Sequence, residues 1–342
     1  MRPSIVFGIL SAAHKPETLQ QLVESLGDYP VVIHHDFSQQ PEFPIDAPNV
    51  TFVADYASSG WAAWGLMESI SRTIRFCGEH YDYDYLQFLT PVDLPIKNLA
   101  QFESMVAANT HDVAVDRLDL SSDELVFMTF AFRAYAAQDS LPYRMLWRIR
   151  EAYFGDYKTV VRGGLSIPTA ASTSTGGVKS LKARVCLKLT RAYVALVQRF
   201  GNDRMRMPML AGSAWFGASR KACEYLVEQL NDPGIQARFK PLFCAPEMLV
   251  STVFDQSPFV CAPGNHLISE FDGARPLWLE PENFDELKQS DRFFARKFPD
   301  DPAAPVRRLV LDHISADPSA PAVRGQKRAS DRVNQPSSLS TP

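Results

Sequence analysis

The sequence predicts an α/β fold in which an open, mostly parallel sheet is flanked by helices. Two observations carry that expectation. Short apolar runs alternate with helical patterns over the first hundred residues, and ionisable residues follow two of the runs directly, where open parallel sheets bind ligands.

Ser4 to Leu10 reads as the first strand, and Lys15 to Leu26 as a helix whose Leu19, Leu22, Val23 and Leu26 share one face, with Pro16 tolerated in its first turn. Pro30 to Ile33 and Val50 to Val53 are further strands, Ala62 to Phe76 a helix, and Tyr85 to Leu89 a fourth strand. That β-α-β-β-α-β order implies parallel pairing and directs attention to His34-His35-Asp36 and Thr90-Pro-Val-Asp93. From Leu120 to Pro208 the pattern loosens into an aromatic helix (Tyr143 to Tyr153), a Gly/Ser/Thr-rich loop (Gly163 to Gly177) and a basic helix (Val178 to Phe200). A strand over Gly212 to Phe216, a helix over Lys221 to Leu230 and another over Pro246 to Phe254 come next. One domain is expected over residues 1–315, with a disordered tail rich in Pro and Ser over 316–342.

The 342 residues are 46% hydrophobic and 22% charged, with a net charge of −4 and a mean hydropathy of −0.15, as in ordinary globular enzymes. Nothing in the bulk charge asks for a nucleic-acid partner. The apolar run at the start ends after Leu10 and no stretch of about 18 apolar residues occurs, so a cytoplasmic protein, at most peripheral on the inner face of a membrane, is expected. Cys77, Cys186, Cys223, Cys244 and Cys261 are an odd, widely spaced set and read as free thiols rather than a disulfide or zinc framework.

Ile33-His-His-Asp36 closes a strand with two imidazoles and a carboxylate, which suits either a metal or hydrogen bonds to a nucleotide, but no second cluster lies at a supporting spacing. Asp82-Tyr-Asp84 precedes its strand and so reads as a solvated turn rather than a cation-holding pair. No glycine-rich phosphate cradle is present. A diphosphate leaving group held without a metal needs cations, and Arg275, Arg296 and Lys297, set among bulky apolar neighbours, are the candidates.

Read in order, four segments resemble the core-2/I-branching β-1,6-N-acetylglucosaminyltransferases, the family that includes the peptide O-xylosyltransferases (glycosyltransferase family 14), in a bacterial-type form. They are Ile33-His-His-Asp36, Leu86-Gln-Phe-Leu-Thr-Pro-Val-Asp-Leu-Pro-Ile-Lys97, Gly212-Ser-Ala-Trp-Phe-Gly-Ala-Ser-Arg220, and Ala245-Pro-Glu-Met-Leu-Val-Ser-Thr-Val253 with Phe294-Ala-Arg-Lys-Phe298. The resemblance covers residues 4 to 300. It implies a GT-A-like fold, a UDP-sugar donor, no metal or other cofactor, inversion at the anomeric carbon, and a nucleotide-binding half (1–110) beside an acceptor and catalytic half (111–315). Glu247 falls on the family's catalytic base. Arg275 and Lys297 fall on its diphosphate grip, with Arg296 on a neighbouring phosphate contact. His35, Asp36 and Trp61 lie where it builds the uridine pocket, Asp93 matches the Asp of its Asp-Tyr/Phe-Pro segment, and Trp215 is an aromatic platform for the acceptor. The family's Pro-Asp-Glu is shortened here to Pro246-Glu247, and its Trp-Gly-Gly is Trp61-Ala-Ala. Ala214 stands where the xylosyltransferase branch usually has an acid, which favours N-acetylglucosamine over xylose as the transferred sugar.

A sugar hydroxyl is a weak nucleophile at neutral pH, so a carboxylate must take its proton as it attacks, and inversion needs only one such carboxylate. Glu247, opening a helix beside an apolar face, suits that role, although an ordinary first-turn Glu favoured by the helix dipole has the same pattern. Two readings from other classes compete: a metal-dependent hydrolase built on His34, His35 and Asp36, and a non-catalytic carbohydrate-binding module. The acceptor is a glycan, a lipid-linked glycan or a glycoprotein. Between Val178 and Arg206 eight basic residues stand against one acid, with Leu181, Val185 and Leu189 at i+4 spacing. This is either a docked helix with a solvated basic face or a segment for reversible contact with anionic membrane.

Overall fold

The computed structural model describes residues 3–60, 63–108, 110–155, 157–162, 165–170, 180–201, 206–269, 271–272 and 275–316. Trp61, the acidic residue Asp203, Lys179, Arg204 and all of the tail after Ala316 lie outside the described residues, as does the side chain of Arg275.

The first third runs β1 (Ile5–Ser11), α1 (Pro16–Ser25), β2 (Val31–His35), β3 (Val50–Phe52), α2 (Gly65–His80), β4 (Tyr85–Leu89), β5 (Leu94–Pro95) and α3 (Leu99–Ala107). The middle holds β6 (Val113–Ala114), β7 (Leu118–Asp119), α4 (Glu124–Tyr135), α5 (Leu141–Phe154), β8 (Tyr157–Arg162), β9 (Leu165–Ala170) and α6 (Leu181–Phe200). The last part holds β10 (Leu210–Ala211), β11 (Gly217–Ser219), α7 (Arg220–Asn231), α8 (Pro233–Phe239), α9 (Pro246–Asp255), β12 (Leu267–Ser269), β13 (Phe271–Asp272), β14 (Arg275–Pro276), α10 (Phe284–Gln289), β15 (Phe294–Arg296) and α11 (Pro305–Ser315).

The main sheet has the order β3-β2-β1-β4-β11-β6. Its first four strands are mutually parallel, and β11 runs antiparallel to both of its neighbours. The chain is therefore a mixed α/β protein with a mostly parallel central sheet and flanking helices, as the alternation of apolar runs implied. Alternate residues of β1 feed two cores, because successive side chains of a strand point to opposite faces. Ile5, Phe7 and Ile9 pack with Leu19, Leu22, Val23 and Leu26 around α1, while Val6 and Leu10 pack with Met67, Ile70 and Ile74 of α2. Truncating a fully buried ring such as Phe7 to alanine would cost about 3–5 kcal/mol.

Two expectations are corrected. Gly212 to Phe216 is not a strand: the pairing segments are β10 before it, antiparallel to β7, and β11 after it. Gly212 cannot carry a side chain, since a Cβ there would collide with the Asp116 carbonyl and Ser251 Oγ, and the chain bends two residues on, at Ala214. The span from Gly163 to Gly177 is not wholly loop either, because β8 and β9 pair antiparallel with Arg162 opposite Leu165. Among the described residues no helix is long and apolar enough to cross a membrane, and all five cysteines are free thiols, Cys261 alone half-buried.

A second sheet, β12-β15-β5, places the later cations. Its register sets Ala295 opposite Leu94, so that Arg296 arrives beside Asp93 at the carboxyl end of β4.

Candidate active site

The chain leaves β1, β2 and β4 at the same edge of the main sheet, and His14, Asp36 and Asp93 come after those three ends. Asp36 is wholly buried. It accepts hydrogen bonds from Ser38 N (3.1 Å) and Oγ (2.5 Å), Gln39 Nε2 (2.6 Å) and Ser59 N (2.6 Å). Burial pushes its carboxyl up, but those hydrogen bonds outweigh it and hold the group at about 2. Asp36 thus ties the loop that leads toward residue 61 to the end of β2.

His34 and His35, neighbours on a strand, face opposite sides of the sheet and do not converge. His34 Nε2 accepts the Ala57 N–H at 2.8 Å, and burial lowers its pKa to about 4. His35 bonds the Gln40 carbonyl through Nε2 (2.8 Å) and Ser11 Oγ through Nδ1 (3.2 Å), and its ring stacks on Phe43 at 3.9 Å. Both imidazoles are therefore engaged in building the strand end. Among the described residues no three His, Cys, Asp or Glu side chains gather as a metal-ion site. At the opposite end of β4, Asp84 accepts the Ser4 N–H at 2.8 Å and Asp82 lies exposed, 3.6 Å from Arg220, so the Asp82-Tyr-Asp84 turn is solvated as expected.

Asp93 is fully buried and accepts from Thr90 N and Oγ1, each at 2.7 Å. Burial raises its pKa, opposed by Arg296 and by the Thr90 hydrogen bonds. Arg296 Nε stands 3.5 Å from Asp93 Oδ1, and its guanidinium lies 5.1 Å from the Trp215 ring centre. Arg296 is held by this ion pair and stack although its buried Nε makes no hydrogen bond, and the neighbouring Lys297 is half-buried with Nζ 4.6 Å from the Trp278 ring centre. Burial, and then the Arg296 charge, hold the Lys297 ammonium below the usual lysine value, with Asp93 acting in the other direction. His14 belongs to the same group. Its imidazole is lowered by burial and by Lys297, Arg296 and His35, against Asp300, and its buried Nδ1 has no hydrogen-bond partner. A neutral ring beside two cations suits a site that receives an anion.

Glu247 lies in the first turn of α9, with Pro246 at the first helical positions. From Cys244 to Phe254 every residue is buried except Glu247, so the helix, whose other carboxylate, Asp255, closes its far end against Arg117, presents Glu247 from an otherwise buried first turn. Its side chain is 44% exposed and accepts an ion pair from Arg133 Nη1 at 2.9 Å. The expected desolvation beside an apolar face is thus replaced by a half-exposed carboxylate held by a cation. Arg133, at the end of α4, itself lies over Phe130, 4.6 Å from the ring centre. Sequence reasoning missed it, although a cation ending the apolar run Leu125-Val-Phe-Met-Thr-Phe-Ala-Phe-Arg133 satisfies the criterion that singled out Arg296.

The segment from Gly212 to Trp215 joins the carboxylate to the cations. The Gly212 N–H donates to the Glu247 carbonyl at 2.7 Å, and three residues on Trp215 lies against Arg296. Three residues of extended chain span at most about 11 Å. Asn265 braces the segment by donating from Nδ2 to the Trp215 carbonyl (3.4 Å), while its own N–H meets Asp116 (3.1 Å), whose carbonyl accepts from Ser251 of α9 (2.8 Å). The structure therefore groups His14, Asp93, Trp215, Arg296 and Lys297, and links Glu247 to them through the segment from Gly212 to Trp215. No protein-family model matches this chain, and no match to it is found among the curated proteins.

Proposed function

We propose that the chain is an inverting, metal-independent glycosyltransferase with a GT-A-like fold, which moves a sugar, N-acetylglucosamine before xylose, from a UDP-sugar to an acceptor hydroxyl. The observation that carries this reading is the setting of Glu247: a half-exposed carboxylate in the first turn of a helix whose next seven residues are buried, linked by the segment from Gly212 to Trp215 to Arg296. In this reading the donor sugar sits between that base and a cationic diphosphate site.

In this mechanism the acceptor oxygen attacks the anomeric carbon while the bond to the diphosphate breaks and its electron pair leaves with UDP. The acceptor proton passes to Glu247, whose orientation Arg133 holds through Oε2. Lys297 meets the charge developing on the leaving phosphate, while Arg296, already neutralised by Asp93, shapes the wall with Trp215. Asp93 and His35 act as positioning residues because both are buried with their polar atoms engaged.

The test is a panel of UDP-sugars incubated with the protein in EDTA, following UDP release and the anomeric configuration of the product. Release of UDP with inversion supports the reading. Failure of every donor to bind or turn over removes it.

A further inference from the structure

Helix α6 is amphipathic twice over. Ala183, Cys186, Leu187, Thr190 and Val194 are buried against the body of the protein, yet the face turned away carries Leu181, Val185, Leu189, Leu196 and Phe200, between 47% and 76% exposed. The stripe is not incidental to helix spacing: at 100° per residue these five fall within one arc of about 100°, and Arg184, Lys188 and Arg199 fall along its border. The adjoining α5 continues the pattern outward with exposed Leu141, Met145 and Trp147 beside Arg144 and Arg148. Together the two helices carry eight basic residues and one acid, Glu151, in a protein whose net charge is −4.

We propose that the outer face of α5 and α6 attaches the protein reversibly to an anionic lipid bilayer. The chemistry fits that occupant: the apolar arc enters the acyl boundary while the bordering guanidinium and ammonium groups remain among anionic headgroups, and long basic side chains reach that level by extending along the apolar surface. A second copy of the chain fits it poorly, because a two-fold contact through this face would set like charges against each other. The inference does not depend on the proposed glycosyl transfer.

The test is co-sedimentation of the full chain with phosphatidylcholine vesicles with and without phosphatidylglycerol, at low and high salt. Wild type is expected to pellet with the anionic vesicles at low salt only. The triple change Lys182→Gln, Arg184→Gln and Lys188→Gln should weaken partitioning by about 100-fold, and Leu181→Ser with Leu189→Ser and Phe200→Ser should abolish it. All six side chains are exposed, so the melting temperature should remain that of wild type. No pelleting with anionic vesicles at low salt, equal pelleting with neutral ones, or an unchanged triple charge variant overturns the proposal. So does self-association in sedimentation equilibrium that the serine variant abolishes without any lipid binding by wild type, which would make the face an interface between copies.

Discussion

Arg133 Nη1 stands 2.9 Å from Glu247 Oε2, joining the last turn of α4 to the first turn of α9 across 114 residues of sequence. A carboxylate that must accept a proton from a bound hydroxyl gains direction from such a partner, and its other oxygen remains for the acceptor. Glu247→Gln keeps the shape but not the proton acceptance. It should bind UDP-sugar with near-normal affinity and lose about 100-fold or more in turnover. Activity within a few-fold of wild type would take Glu247 out of the mechanism.

Arg133 is a positioning residue, and its variants should separate orientation from charge. Arg133→Lys keeps a cation but not the planar fork, and should retain more turnover than Arg133→Ala, with UDP affinity unchanged in both. The readout is kcat against KM together with the pH profile. A loss confined to KM for the donor would place Arg133 in the nucleotide site instead.

The cations divide into one paired with a buried carboxylate and one half-buried against Trp278. Lys297→Ala should weaken UDP binding while leaving uridine binding nearly unchanged, since its contacts would be to the diphosphate; Arg275→Ala is expected to do the same. Arg296→Ala should instead destabilise the fold by about 3 kcal/mol, because it strands the buried Asp93 without its partner. Denaturant midpoints for the three variants, beside isothermal titration with UDP and uridine, check the division. Equal weakening of uridine and UDP by Lys297→Ala would mean that Lys297 supports the fold alone.

The parts legible in the sequence are those whose signal is local. Continuous apolar runs such as Ser4 to Leu10 announce buried parallel strands, and the first turn at Pro246-Glu247 announces a helix start. The region from Gly212 to Phe216 misleads because Ala214, Trp215 and Phe216 are apolar for reasons of packing: Phe216 rests on Phe88 and Phe254, and Trp215 receives Arg296. The β8-β9 hairpin carries a mixed signal: Gly163-Gly164 separates two segments of strand length, but the Ser and Thr residues from Ser166 to Thr175 give the second segment the composition of a loop. Partners distant in sequence, Arg133 with Glu247 and Arg296 with Asp93, have no spacing signature at all.

Stability should fall in mild acid. Burial keeps His34 at about 4 and His266 at about 3, whereas an imidazole in the unfolded chain takes up its proton near 6.5. Between those values the unfolded chain binds more protons, so the stability is fully present above 6.5 and is lost as pH falls toward 4, by roughly 3 kcal/mol for His34 alone. Asp36, held at about 2 against 3.8, adds a further loss only below about 4. Urea midpoints across this range should decline, less steeply in His34→Asn. A flat profile from 6.5 to 4 would show that the two rings are not held neutral.

The close packing at Gly212 offers the sharpest test of how the site is assembled. Its N–H holds the Glu247 carbonyl, and a Cβ at this position would strike both Ser251 Oγ and the carbonyl of Asp116. One obstacle is a removable side-chain atom and the other is backbone. Gly212→Ala should therefore push the segment away from α9, costing about 1–3 kcal/mol in stability as an overpacked position does. It should also lower turnover, because Trp215 and Arg296 move relative to Glu247. Adding Ser251→Ala clears only the hydroxyl, so the double variant should recover little of either loss. Full recovery in melting temperature and turnover would mean that the Asp116 carbonyl yields freely, and that the spacing between carboxylate and cations is not set by this close contact.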